Sequence, residues 1–290
     1  MNKKITLLSI ILTITITSCD VEEGPFITDY DIYVNPNKKV LIEDFTGHKC
    51  PNCPDAAKEL EAIHSIYGDQ IIGMGIHVSK LFARPNPMTA DSYTYDFRTE
   101  WGDSWDDFYQ ISDAGLPRGM INRISYPDAH KMGKNEWAAA VTAELKKPVD
   151  FKISIVSSNT SISIVAEVTN NIDNVYNLVV CLTEDHIINW QKDGQDNIEN
   201  YEHNHVLRSV ITDASLSNKD SFVQGEIIED SFNINLDELE EYNINYSTNT
   251  AELGNGNAGG WVEENLSVIV YIYNTTNKEI VQVEKSKLIN

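Results

Sequence analysis

Two cysteines separated by two residues are the feature of this sequence with the clearest chemistry. Cys50 and Cys53 enclose Pro51 and Asn52, and they follow the apolar run 40–47, which has the length of a buried strand. The apolar residues after the pair have the spacing of one helix face: Ala56, Ala57, Leu60, Ile63 and Tyr67. The pair is therefore predicted to lie at a strand-to-helix turn.

A helix N-terminus suits a reactive thiol because its free N–H groups and partial positive charge favour the thiolate. The thiolate is the nucleophile in disulfide exchange. Cys50 is then the predicted attacking thiol, and Cys53, one helical turn further on, resolves the mixed disulfide. His48 and Lys49 either add positive charge beside Cys50 or lie exposed in the loop.

The elements that must position the cysteines alternate between strand and helix patterns. A second apolar strand is predicted at 70–78, and a helical insertion rich in aromatic residues at 79–112. The aromatic rings of the insertion either form a substrate wall above the cysteines or pack the insertion on the sheet. An amphipathic helix at 134–147, ended by Pro148, completes an α/β domain predicted over residues 38–148.

The second half of the chain has a different periodicity. From residue 149, apolar and polar residues alternate in short runs bounded by Ser and Asn turns. Strands are predicted at 151–155, 162–168, 176–183, 206–211, 226–234, 266–273 and 279–283. This spacing predicts a separate all-β, immunoglobulin-like sandwich domain over residues 149–290.

Three further residues of this half have side chains that could do chemistry. Cys181 lies among apolar residues of a predicted strand, which favours a buried, inert thiol over an intermolecular bridge. His203 and His205 lie in a polar loop, 184–205; on a strand they would share a face and could bind a metal with a carboxylate. Because a third convincing ligand is missing, an exposed polar strand is predicted around these histidines, and no metal site is predicted.

The N-terminal residues have the pattern of a lipoprotein signal. Residues 1–18 carry two lysines and then an apolar run that is too short to span a bilayer. The ending Ile16-Thr17-Ser18-Cys19 resembles a bacterial lipobox, which implies that Cys19 is acylated and holds the protein on a lipid bilayer; the alternative is a plain cleavage site. Residues 19–37 have a tether's composition, and their acidic start resembles an export tag for the outer membrane or cell surface.

The charge of the chain excludes one class of partner. The sequence has 22 basic and 44 acidic residues, so its formal net charge is −22. Nucleic acid is a polyanion and is repelled by such a surface, so it is not expected as a partner.

The residues around the cysteines resemble thioredoxin-like proteins. Asp44, six residues before Cys50, matches the family's buried carboxylate, which implies a proton relay to the resolving cysteine. Glu43 competes for this role, since buried parallel strands hide their alternation. Leu116-Pro117 resembles the family's cis-proline loop, which implies that Pro117 faces the cysteines and that the backbone of Leu116 binds the substrate chain.

Nearly the whole mature sequence resembles the outer membrane protein (Omp) twenty-eight-related lipoprotein family. The resemblance rests on the lipobox, residues 43–47 with the cysteine pair, Leu116-Pro117 and residues 201–208. It implies a lipid-anchored protein of the outer membrane, on its periplasmic or cell-surface face. Many thioredoxins have a Trp just before the first cysteine, and its absence here argues against a general reductase.

Two functional hypotheses remain at this level. The first is thiol–disulfide exchange with thiols or disulfides of envelope proteins, with the Cys50–Cys53 disulfide as the redox group and no other cofactor. The second is a non-catalytic surface lipoprotein that binds or adheres to a partner, with the pair as a structural disulfide. A fold does not decide between them, so the sequence leaves open whether the protein is an enzyme.

Overall fold

A computed structural model of the protein describes residues 34–288. The predicted signal peptide (1–18), the predicted acylation site Cys19 and the tether up to residue 33 lie outside the described residues. Within the described part, no helix is long and apolar enough to cross a membrane.

Strands and helices are both present, and strands dominate. The strands are β1 Val40–Thr46, β2 Ile71–His77, β3 Arg118–Ile121, β4 Phe151–Ser157, β5 Ser161–Val168, β6 Ile172–Asp173, β7 Tyr176–Glu184, β8 Ile187–Asp193, β9 Asp196–His203, β10 Val206–Ser215, β11 Ser221–Phe222, β12 Ile227–Asn233, β13 Leu266–Asn274 and β14 Ile280–Lys287. The helices are α1 Cys53–Tyr67, α2 Glu100–Tyr109, α3 Lys134–Glu144 and α4 Leu236–Asn249. The fold is therefore a mixed α/β fold, as the sequence predicted.

A seven-stranded mixed sheet runs through both halves of the sequence, in the order β14-β13-β7-β10-β2-β1-β3. β10 joins β2 in parallel through Val206 and Gly75, and the Gly75 N–H donates to the carbonyl of His205 at 2.8 Å. This differs from the predicted separation into two domains at residue 149. An edge strand has unpaired backbone groups, and β10 supplies partners for the edge of β2 that the first half leaves open.

A second sheet covers part of the first. It has the order β12-β5-β4, and its alternating apolar residues share a core with the large sheet. This core includes Phe151, Ile164, Val180, Leu182 and Val270. The predicted strands of the second half are therefore present as two packed layers, but one layer is continuous with the sheet that carries the cysteines.

Three segments differ from the sequence prediction. Residues 184–205, predicted as a polar loop, contain the β8–β9 hairpin. Most residues of β9 are exposed, so its sequence shows no alternation of apolar and polar residues. Residues 90–98 are irregular rather than helical, and the insertion has its α-helix only at α2. α4 is unpredicted because its Asn, Tyr, Ser and Thr residues are weak helix formers.

The cysteine end of the large sheet has a helix layer on each face. α1 and α3 pack over Val40 and Ile42, while α2 packs over Leu41 and Phe45. Successive side chains of a strand point to opposite faces. Residues 43 and 44 therefore face different layers, which decides what each carboxylate contacts.

Candidate functional site at the disulfide

Cys50 and Cys53 form a disulfide at the turn between β1 and α1, with their Cα atoms 5.4 Å apart. α1 begins at Cys53, and no side chain caps its N-terminus at Asn52. The Cys50 N–H donates to the carbonyl of Gly47 at 2.9 Å, which closes the turn. The disulfide therefore lies where the free N–H groups of the helix begin.

Three residues of the β8–β9 hairpin form hydrogen bonds to this turn. The Gln191 side chain donates from Nε2 to the carbonyl of Cys50 at 3.1 Å. The backbone N–H groups of Lys192 and Gly194 donate to the carbonyls of His48 and Pro51, each at 2.8 Å. As a result Cys50 is fully buried and Cys53 is only 3% exposed.

The insertion covers the turn from the other direction. The Lys49 N–H donates to the carbonyl of Phe82 at 2.9 Å. Gly47 is required here, because a Cβ at this position would lie 2.6 Å from the backbone of Phe82. Two segments distant in sequence thus enclose the disulfide.

Asp44 lies on the α1 face of the sheet, beside the disulfide. Its side chain is 95% buried (5% exposed), and its Oδ1 has no hydrogen-bond partner among residues 34–288. Burial raises the pKa of Asp44 to about 7, because the charged form loses its hydration. Asp44 and Cys53 line the same cavity, which has a volume of about 440 Å³.

Glu43 points to the opposite face and makes a different set of contacts. The guanidinium of Arg123 donates to its carboxylate at 2.6–3.1 Å, and both side chains are buried. Arg123 also donates to the hydroxyls of Tyr109 at 3.0 Å and Tyr271 at 2.8 Å. Glu43 is therefore the acidic partner of a buried ion pair. Of the two carboxylates, Asp44 is the one that lines the same cavity as Cys53.

A group of histidines also surrounds this cavity. The ring of Phe97 lies 5.6 Å from that of His48, 4.5 Å from His77 and 4.6 Å from His203. Burial lowers the pKa of His48 to about 3, that of His203 to about 4, and that of His77 well below its usual value. All three are therefore neutral at pH 7, and His48 does not supply the positive charge that its position beside Cys50 suggested.

His203 and His205 do not share a face. His203 ends β9 and is buried, with Nε2 3.3 Å from the carbonyl oxygen of Trp190. His205 follows in a left-handed conformation (φ 59°), and its Nδ1 lies 2.9 Å from Asp185. Within the described residues, no three His, Cys, Asp or Glu side chains are grouped as a metal site requires.

The predicted proline loop leads directly into β3, next to β1. The Leu116–Pro117 peptide bond is cis, and Arg118 pairs with Phe45 across the sheet. Leu116 and Pro117 line a cavity of about 590 Å³ together with Asn52 of the cysteine turn. Neither cysteine lines this second cavity.

The aromatic residues of the insertion divide between the two faces. Trp105 and Tyr109 of α2 pack in the core on the face away from the disulfide. Tyr93 and Phe97, from the irregular segment before α2, lie beside His48. The packing alternative is therefore present in α2, whereas a substrate wall above the cysteines stays a prediction.

Several residues at the site carry no clear sequence signal. Gln191, Tyr201 and His77 line the cavity with Asp44 and Cys53. His77 pairs in register with Thr46, and its position at the end of β2 is a usable signal, since the ends of parallel strands meet at one edge of a sheet. Gln191 and Tyr201 come from a hairpin that the polar sequence does not predict.

Cys181, the remaining described cysteine, is distant from this chemistry. It lies in β7, is fully buried in the core and is unpaired. Burial raises the pKa of its thiol well above the usual value. This agrees with the inert thiol that its apolar neighbours predict.

The fold and the site together define a mixed α/β protein with a buried disulfide at the start of its first helix. The chain belongs to the family of outer membrane protein Omp28, whose family model matches residues 104–290. The matched region includes the proline loop and the covering hairpin, and it begins after the cysteine pair. No curated protein matches the chain.

Solved structures resemble this fold at low sequence identity. HBP35 of Porphyromonas gingivalis is 13% identical with a TM-score of 0.50, over 88% of this chain and 77% of that chain. A protein of Agrobacterium tumefaciens is 13% identical with a TM-score of 0.48, over 87% and 94%. A domain of the outer membrane lipoprotein Omp28 from Porphyromonas gingivalis is 15% identical with a TM-score of 0.26, over 49% and 91%. The first of these shows a shared fold and nothing about activity.

Proposed function

We propose that this protein of an outer membrane family carries out thiol–disulfide exchange through Cys50 and Cys53. The observation that carries the proposal is the cavity that Cys53 shares with the buried carboxyl of Asp44, whose Oδ1 has no hydrogen-bond partner among residues 34–288. An unpaired buried carboxyl costs stability, and such groups are often retained at functional sites.

The order of elements around the disulfide supports a thioredoxin-like core. A strand leads to the cysteine turn and α1, a parallel strand follows, and the proline loop enters a strand antiparallel to the first. α3 then packs with α1 on one face. We assign substrate binding to Leu116 and Pro117 of this loop, as the resemblance to thioredoxin-like proteins implies.

Asp44 is suited to move a proton during exchange. With a pKa of about 7 it is part protonated at neutral pH, so that it accepts and returns a proton without a large energetic penalty. When the disulfide opens, one sulfur leaves as a thiolate and takes up a proton, and we assign the transfer of that proton to the Asp44 carboxyl, which lines the same cavity as Cys53. Reversal of the reaction returns the proton to Asp44.

The cellular setting follows from the family and from Cys19. We propose that Cys19 is acylated and holds the chain on the outer membrane, with envelope proteins that carry thiols or disulfides as partners and with no role for nucleic acid. Labelled palmitate should enter the full chain and not a Cys19→Ser variant, which should also leave the membrane fraction. Equal labelling of both proteins would overturn the anchor.

A second candidate function is favoured by a specific observation. Both cysteines are covered, and hydrogen bonds from Gln191, Lys192 and Gly194 of the β8–β9 hairpin hold their turn. A covered disulfide of this kind is typical of a structural bond. It favours the alternative in which the protein is a surface lipoprotein that binds or adheres to a partner.

Single-cysteine variants distinguish the two functions. We expect Cys50→Ala or Cys53→Ala, produced in cells, to accumulate mixed disulfides with envelope proteins that disappear on reduction. The matched control is the double variant, which lacks both thiols and should trap nothing. If neither single variant traps a partner in excess of the double variant, the disulfide is structural and the exchange proposal is wrong.

A further inference from the structure

One of the two cysteines lines the cavity beside Asp44 and the other does not. Cys53 is among its lining residues, whereas Cys50 is not and is fully buried. Gln191 also lines the cavity, and its bond to the Cys50 carbonyl holds the first cysteine in place behind it. A molecule that enters this cavity therefore meets Cys53.

The surface for a polypeptide substrate lies elsewhere. The cavity at the proline loop is lined by Asn52, Asp55, Leu116 and Pro117, and neither cysteine reaches it. A chain that pairs with the backbone of Leu116 would thus contact the turn between the cysteines at a surface that neither cysteine lines. The cavity that Cys53 lines is therefore separate from the cavity at the proline loop.

The cavity that Cys53 lines also contains polar atoms without partners. Asp44 Oδ1 and both ring nitrogens of His77 have no hydrogen-bond partner among the described residues. Both side chains are at least 95% buried, with exposures of 5% and 4%. Buried polar groups are normally hydrogen-bonded, so these atoms indicate a ligand that supplies both a donor and an acceptor.

The size of the cavity restricts that ligand. A volume of about 440 Å³ lies within the range of roughly 300–1,000 Å³ found for small-molecule pockets. A thiol group meets the chemical requirement, since its S–H donates to a carboxylate and its sulfur attacks a disulfide.

We propose that this cavity binds a low-molecular-weight thiol, which attacks Cys53, so that Cys53 and not Cys50 carries the mixed disulfide. The inference rests on the proposed exchange function and assigns its substrate class and its reacting sulfur. It reverses the roles predicted for the two cysteines from their positions at the helix N-terminus.

The reaction balances without any other reagent. The thiol gives its proton to Asp44, and its thiolate forms a bond to the sulfur of Cys53 while the Cys50–Cys53 bond breaks. The electron pair of that bond leaves with Cys50 as a thiolate, which takes up the proton that Asp44 received. A second thiol attacks the mixed disulfide and releases a small disulfide and the Cys53 thiol, so that two thiols are oxidised and the protein disulfide is reduced. This second thiol gives its proton to Asp44 in the same way, and that proton passes to the sulfur of Cys53.

Mapping the first adduct tests the inference on the full chain with its disulfide intact. The protein is mixed with free cysteine, quenched with N-ethylmaleimide and mapped by peptide fragmentation. We expect cysteine on Cys53 and N-ethylmaleimide on Cys50, at least about tenfold over the reverse pattern. The reverse pattern would overturn the inference and leave exchange intact, whereas no adduct on either residue would overturn both proposals.

A second comparison tests the size class of the substrate. Cysteine within a peptide of about a dozen residues should react at least about tenfold more slowly than free cysteine, because only the free amino acid fits the cavity. Equal rates would mean that a polypeptide is accommodated and would overturn the assignment.

Two matched substitutions on α1 test whether the thiol uses this cavity. Ala57 lines it, so Ala57→Leu should slow the formation of the cysteine adduct by about tenfold. Ala62 lies exposed on the same helix, and Ala62→Leu should leave the rate unchanged. Equal rates for the two variants would contradict entry through the cavity.

Discussion

Glu43 and Asp44 are neighbours in the same buried strand, yet their environments differ completely. Glu43 faces α2 and is held by Arg123, whose guanidinium also contacts two tyrosine hydroxyls. Asp44 faces α1 and the disulfide, and its Oδ1 has no partner among residues 34–288. The comparison separates a carboxylate that stabilises the fold from one that remains available for proton transfer.

The two environments shift ionisation in different ways. Burial alone would lower the pKa of Arg123, but the adjacent Glu43 carboxylate holds it well above its usual value. Burial of Asp44 is not offset by any cation, and its pKa rises to about 7. A cation within contact distance therefore decides whether a buried carboxyl remains charged.

The largest effect is expected from removal of that cation. Arg123→Met should leave Glu43 buried and uncompensated, so the free energy of unfolding should fall by about 3–5 kcal/mol. Urea unfolding at pH 7 measures it. The control is the double variant Glu43→Gln, Arg123→Met, which removes the buried charge and should recover more than half of the lost free energy of unfolding. If Arg123→Met alone lowers the free energy of unfolding by less than about 1 kcal/mol, the ion pair does not stabilise the fold.

Asp44→Asn should raise the free energy of unfolding, and the size of the increase should depend on pH. The raised pKa means that the folded state holds the proton more tightly, so Asp44 contributes stability below pH 3.8 that is lost as the pH rises through about 7. The variant should gain up to about 4 kcal/mol at pH 8 relative to wild type, and little near pH 3.5. Urea titrations at the two pH values test this, with Glu43→Gln as the control that should destabilise; a loss at pH 8 for Asp44→Asn would contradict the assignment.

His203 should make the fold sensitive to acid. Its pKa is lowered to about 4, so its contribution is present above pH 6.5 and is lost as the pH falls towards 4. His203→Gln should therefore reduce the loss of unfolding free energy between pH 6.5 and 5 by about 2 kcal/mol. Thermal or urea unfolding at both pH values measures the difference, and an unchanged slope would mean that His203 is not buried in its neutral form.

The smallest effect is expected at the hairpin that covers the disulfide. Gln191→Ala removes the bond to the Cys50 carbonyl, which should cost about 1 kcal/mol and speed reduction by dithiothreitol several-fold. Lys192→Ala is the matched control, because its bond to His48 comes from the backbone and is retained. If both variants are reduced at the wild-type rate, the hairpin does not restrict access to the disulfide.

The sequence predicted the flanking strands of the cysteine turn because each is a short apolar run, and it predicted α3 from the spacing of Trp137, Val141 and Leu145 before Pro148. It did not separate Asp44 from Glu43, since β1 is buried on both faces and shows no alternation. It also missed the continuous sheet, which depends on the pairing of Val206 with Gly75, residues far apart in the chain.

The cover over the disulfide was the least predictable part of the site. Gln191 lies 141 residues from Cys50, and its hairpin has polar residues on both sides. His77 and Asp44 become neighbours only because β1 and β2 run parallel and end at the same edge. Such long-range contacts determine which cysteine a ligand reaches, and local sequence patterns do not report them.

The measurement that tests the central claim most directly is an equilibrium redox titration of Cys50–Cys53 in the full chain against a thiol buffer. If the disulfide exchanges at this site, its reduction potential should lie between about −270 and −120 mV, the range of proteins that exchange disulfides. A potential below about −300 mV would identify a structural disulfide and contradict the account.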